Sequence, residues 1–113
     1  MRASYLGAMG YSERHKFPAT WPVPPMFHDP QTSVRSYQEG IQECEFAEEM
    51  GFDGLALNEH HSTPFCMGGA MNVEASILAR ITKRAKIVLL GNILPIWDDP
   101  LWLVEQLSMI DLI

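Results

Sequence analysis

The chain has 113 residues, room for one small domain with a core of its own. Hydrophobic residues make up 47% and charged residues 19%, which argues against a disordered or fibrous chain. A formal net charge of −6 argues against an electrostatic grip on nucleic acid or on an anionic membrane.

Residues 2–9, RASYLGAM, suit a short first strand. Arg2 is followed by no apolar run of signal-peptide type, and no run approaches the roughly 18 residues of a membrane span, so the default location is cytoplasmic. Residues 10–30 hold Pro18, Pro22, Pro24, Pro25 and Pro30, which rule out a helix or a central strand there. Trp21 and Phe27 argue that this long loop is ordered rather than a plain linker. Residues 32–50 read as a helix capped by Thr32 or Ser33, with Val34, Tyr37, Ile41 and Cys44 on one stripe and Gly51 as its stop. Phe46 falls off that stripe, and Cys44 reads as a small core residue.

Residues 52–57, FDGLAL, form a second, buried strand, and 58–70 a loop with Pro64, Gly68 and Gly69 in which Cys66 is open to exposure. The two cysteines fit neither a zinc pattern nor a redox pair. A second helix starts at Asn72 as N-cap and runs to about Lys83 through Val73, Ile77, Leu78 and Ile81. The basic cluster Arg80, Lys83, Arg84 and Lys86 reads as a solvated helix end. Residues 86–94, KIVLLGNIL, form a third buried strand. After a turn over 95–99, Pro100 opens a third helix carrying Leu101, Val104, Leu107 and Met109 or Ile110.

This alternation predicts an α/β fold with a parallel sheet covered by helices. The apolar pattern of SMIDLI leads to the expectation that residues 1–113 are the opening part of a larger domain, or that a partner covers the remaining surface. A (β/α)8 barrel takes about 250 residues in eight units, of which three would be represented here.

In parallel α/β folds, functional residues gather where strands end and lead into helices. Asn58, Glu59, His60 and His61 occupy that position after the second strand, and the Gly91–Asn92 step lies within or at the end of the third on the same side, with loop 10–30 above them. Consecutive residues at a strand end alternate in direction, so Glu59, His60 and His61 do not all face one metal ion, and His15 and His28 stand at no ligand spacing. A histidine here can move protons near neutrality, with Glu59 orienting the imidazole; the same residues also suit a hydrogen-bonded structural role. Only one of the two histidines is expected to face the rim cavity. Gly91 within a strand run signals close backbone approach or a packing need. Trp97 and Trp102 read as packing residues, and Gly68–Gly69 forms no phosphate loop.

GFDGLALNEHH after a helix, then LLGNILPIWDDP and VEQLSMID, resembles the N-terminal part of the bacterial luciferase-like flavin monooxygenases, and ERHKFPATWPVPP resembles a subgroup of them. The resemblance runs in order over essentially the whole chain. It implies a (β/α)8 barrel, here its first three βα units, that binds reduced FMN or, in some relatives, F420. Reduced flavin and O2 then oxidise a small organic substrate, and a separate NAD(P)H-dependent reductase supplies the flavin. Homo-oligomers are compatible with it. By this resemblance His60 is the active-site histidine beside the flavin, with Glu59 and His61 in support. Leu90, Gly91 and Asn92 would lie against the ring, with a cis peptide suited to Gly91, and Asn58 would join the cofactor-binding set. No metal is implied. Later βα units of the family hold the flavin phosphate, and Trp102 stands where many relatives carry a basic residue. Two other readings are a non-catalytic relative or subunit, and a metal-dependent hydrolase on a similar barrel.

Overall fold

Short apolar runs become strands where a neighbouring strand can pair with them, and three do so here. In the computed structural model, which describes residues 1–113, β1 spans Ser4–Gly7, β2 Gly54–Asn58 and β3 Lys86–Leu90. They form one parallel sheet in the order β1-β2-β3. The helices are α1 (Pro30–Glu49), α2 (Met71–Ile81) and α3 (Pro100–Asp111). The order β-α-β-α-β-α is therefore as expected, while every strand is shorter than its apolar run.

Register sorts the strand residues onto two faces. Tyr5, Leu55 and Ile87 lie in line, as do Gly7, Leu57 and Leu89. These face α1 and α2, and the core forms there from Cys44, Ala47, Leu55, Leu57, Met71, Ala75 and Leu78. A Cβ on Gly7 would stand 2.8 Å from Cys44 Sγ, so glycine lets α1 come down onto β1. The alternate set, Leu6, Ala56 and Val88, lies in line on the opposite face, which no helix covers. Leu6 and Leu90 are each 50% exposed there. The expectation that β3 is buried on both faces is corrected: it is an edge strand whose burial alternates. Helix α3 packs on α2, and Ile110 reaches the edge of the core.

The helix starts move for reasons of capping. Asp29, not Thr32 or Ser33, caps α1: its carboxylate accepts the Thr32 N–H at 2.7 Å, and Pro30 takes the first helical position, where no N–H is needed. Pro30 thus belongs to the helix, not to the loop. Met50 and Gly51 end α1, with Gly51 at φ +94° in the left-handed region. Asn72 is not the N-cap of α2. It lies one residue inside the helix, buried, and Ala70 holds the cap position without a side-chain bond. The buried stripe of α2 is Met71, Glu74, Ala75 and Leu78, while Val73 is 60% exposed. In α3 the expected Leu101 and Val104 are exposed and Leu103 is buried.

Loop 10–30 is ordered by short 3-10 turns at Arg14–Lys16 and Pro25–Phe27 and by bonds to its surroundings. Tyr11 N–H donates to the Pro64 carbonyl at 2.9 Å, Val23 N–H to Ser62 at 3.2 Å, and the Ser36 hydroxyl on α1 to the Ser12 hydroxyl at 2.9 Å. No helix is long and apolar enough to cross a membrane.

Candidate functional site

The carboxyl ends of the strands point to one rim, and the run Asn58 to His61 leaves β2 there. Glu59 has a structural task as well as a polar one. Its Oε2 accepts the Met71 N–H at 3.0 Å, supplying the cap that Ala70 cannot, and its Oε1 stands 3.3 Å from His61 Nε2. Glu59→Ala is therefore expected to cost about 1 kcal/mol through α2 alone, read as a shift in urea midpoint with little change in slope. Glu59→Gln should recover most of that.

Between α1 and the 58–70 loop opens a cleft of about 710 Å³. His60 and His61 both line it, contrary to the expectation that only one would. Strand alternation stops applying after Asn58, where β2 ends, and Ser62 at φ +56° turns the chain. His60 packs edge to face on Phe65, ring centroids 5.3 Å apart, and its backbone N–H donates to the Gly68 carbonyl at 3.3 Å. The facing wall is α1, through Ser33, Val34, Tyr37 and Gln38.

Two further groups at this wall escape a reading by spacing. His28 lines the cleft from the end of the proline-rich loop. With Asp29–Pro30 read as cap and first helical residue, His28 falls at the mouth of α1 and hence on the rim. Glu74 is 2% exposed, and its Oε1 accepts the Tyr37 hydroxyl at 2.8 Å while Oε2 has no partner. Burial pushes the Glu74 carboxyl above its usual range, the Glu59 charge adds to that, and the Tyr37 bond opposes it. Burial and the Glu74 acceptor together push the Tyr37 hydroxyl up. An acid at helical spacing from Met71 and Leu78 is the visible sign that Glu74 faces inward.

Cys66 is buried at 1% exposure, correcting the expectation of an open loop thiol, with Sγ 3.7 Å from the Asn58 and Gly68 carbonyls. Burial raises its pKa, so the thiolate is disfavoured. Cys44 is a core residue, its pKa raised to about 11 by burial. No three His, Cys, Asp or Glu side chains are grouped so as to hold a metal ion.

The second expected cluster lies apart from this cleft. Asn58 and Leu90 are in register at the strand ends, and Asn58 Oδ1 is buried with no partner. Gly91 follows at φ +134°, where side chains are strained, and a Cβ there would meet only Met71 Cε at 4.0 Å. Its peptide bonds are trans; the one cis bond is Trp21–Pro22, so the expected cis peptide at Gly91 is corrected. Asn92 is tied to α2 instead of facing the rim: its Nδ2 donates to Asn72 Oδ1 at 2.9 Å, and Asn72 Nδ2 to Gln106 Oε1 at 2.9 Å. Leu90, Gly91 and Asn92 line no part of the histidine cleft. No protein-family model and no curated protein matches the chain.

Proposed function

We propose that residues 1–113 form the first three βα units of a luciferase-like (β/α)8 flavin oxygenase. Such a protein would use reduced FMN, or F420, with O2 to oxidise a small organic molecule. The supporting observation is the in-order parallel sheet with its helices on one face. A doubly wound sheet covers both faces, whereas a barrel turns the uncovered apolar face inward and carries its chemistry at the carboxyl ends of the strands.

The residues at those ends fit a flavin ring. Leu6, Ala56, Val88 and Leu90 offer an apolar surface. Asn58 Oδ1 is an unpaired acceptor for a ring N–H. Gly91 leaves open space where a side chain would stand. Reduced flavin, when bound, would supply the electrons passed to O2. His60, exposed on the same rim, would hold or move a proton there. Glu59 keeps His61 beside it and fixes the start of α2.

Titration of the chain with oxidised and photoreduced FMN, read by flavin fluorescence alongside light scattering, tests the reading. Saturable quenching by a monodisperse chain supports it, and unquenched flavin at all concentrations overturns it for these residues. On bound flavin, His60→Ala should slow reoxidation by O2 about 100-fold and His61→Ala much less. Equal, small effects would make both histidines structural.

A further inference from the structure

The cleft between α1 and the 58–70 loop has a lining unlike the rest of this acidic chain. Three of the four histidines meet in it: His28, His60 and His61. No Asp, Glu, Lys or Arg side chain lines it, while the hydroxyls of Ser33, Ser62 and Thr63 do. Val34 and Met67 supply apolar wall.

His28 is held as a fixed member of this lining. Its ring stands edge-on to Tyr11, centroids 5.3 Å apart at 79°, and to Phe17, 4.9 Å apart at 77°. Tyr11 is itself 1% exposed. The backbone on both sides is pinned: His28 N–H donates to the Pro25 carbonyl at 3.0 Å, and Asp29 N–H donates to the Tyr11 hydroxyl at 3.2 Å. Asp29 then caps α1. Two aromatic contacts on the imidazole, with three hydrogen bonds on the backbone of His28 and on Asp29, exceed what a solvated loop needs, and they set the ring on the wall facing the 58–70 loop.

We propose that this cleft binds a small organic carboxylate, with His28 and His60 as the groups that grip its acid end. In either tautomer each imidazole offers one N–H, and the Ser62 and Thr63 hydroxyls offer further donors, the Ser33 hydroxyl being given to the Asp29 carbonyl at 3.0 Å. Hydrogen bonding places the acid end. The His61 ring is taken by Glu59, 3.3 Å away, and the Asp29 carboxylate beside His28 is taken by the Thr32 N–H, while the ring nitrogens of His28 and His60 have no partner in the protein, so they take the carboxylate. Tyr37 and Cys66 are part of the wall and Glu74 lies behind it on the Tyr37 hydroxyl, all three with raised pKa values, so they add no charge there in the conditions that keep them protonated. The apolar part of the ligand rests on Val34 and Met67. The proposal rests on the rim reading above in taking this cleft as the substrate end of the site, and it involves no flavin contact.

Benzoate tests it, with benzamide as the uncharged match and no flavin present, so that a failed flavin titration and a failed benzoate titration are separate results. Histidine ring C–H signals are followed by NMR. Benzoate should move His28 and His60 saturably and leave His15, which lies outside the cleft, in place. His28→Gln should weaken benzoate binding about tenfold or more, as loss of a hydrogen bond to a charged group does. His60→Gln, which leaves the packing of His28 on Tyr11 and Phe17 intact, should do the same. Equal binding of benzamide, uniform movement of all four histidines, or unchanged affinity in His60→Gln overturns the proposal.

Discussion

Leu57→Ala is expected to cost about 2–5 kcal/mol of stability, while Leu6→Ala costs about 1 kcal/mol or less. Both leucines belong to adjacent strands of one sheet. Leu57 is 0% exposed and sits among Cys44, Met71 and Leu78, so its removal leaves a hole that neighbours on α1 and α2 must close. Leu6 pairs with Ala56 on the opposite face and is half exposed already, so less apolar area returns to water on truncation. Urea unfolding of both variants, with slopes matched to the unsubstituted chain, gives the comparison. Equal losses would show that the Leu6 face is covered in solution or that the register is shifted by one residue, because a one-residue slip exchanges the two faces.

That contrast also shows what was legible from residue pattern. Alternating apolar runs and helical stripes place three strands and three helices in the right order, because each run is bounded by Gly, Pro or a capping side chain. The faces are less legible. β3 reads KIVLL, apolar from Ile87 to Leu90, so its composition cannot tell a central strand from an edge strand with one open side. The stripe of α2 is displaced because Glu74 takes a buried place that an apolar count assigns to Val73. At the rim, Glu59, His60 and His61 stand out because charge follows an apolar run, and they do share a neighbourhood. Asn92 stands out equally and is spent on Asn72, a partner 20 residues away that no local pattern reveals. His28 is hidden because its place depends on Tyr11 and Phe17, contacts that exist only once the proline-rich loop has folded back on itself.

Glu74 yields the second large effect, and its sign is set by burial. The folded chain holds the Glu74 proton more tightly than an exposed glutamate, whose ordinary value is 4.5. Between the unfolded value and the raised folded value the native state binds more protons, so stability falls as pH rises through that window and then levels. Asp29 and Glu48 act in the other direction. Asp29 accepts the Thr32 N–H and Glu48 accepts the backbone N–H groups of Lys83, Arg84 and Ala85, which hold both carboxyls below their usual range. Their contribution is present above the ordinary carboxylate values and is lost as pH falls through the lowered ones. The native chain should therefore lose stability on both sides of a mildly acidic maximum. Glu74→Gln cannot ionise, keeps an oxygen for the Tyr37 hydroxyl, and should lose only the decline toward alkaline pH. Glu74→Ala should be destabilised throughout by about 1–3 kcal/mol for the unpaired Tyr37 hydroxyl, with a further loss from the hole beneath Gly68. Chemical denaturation of the three proteins across the acid and neutral range decides the matter. Parallel profiles for the native chain and Glu74→Gln would mean that Glu74 ionises in the folded protein as freely as in the unfolded one.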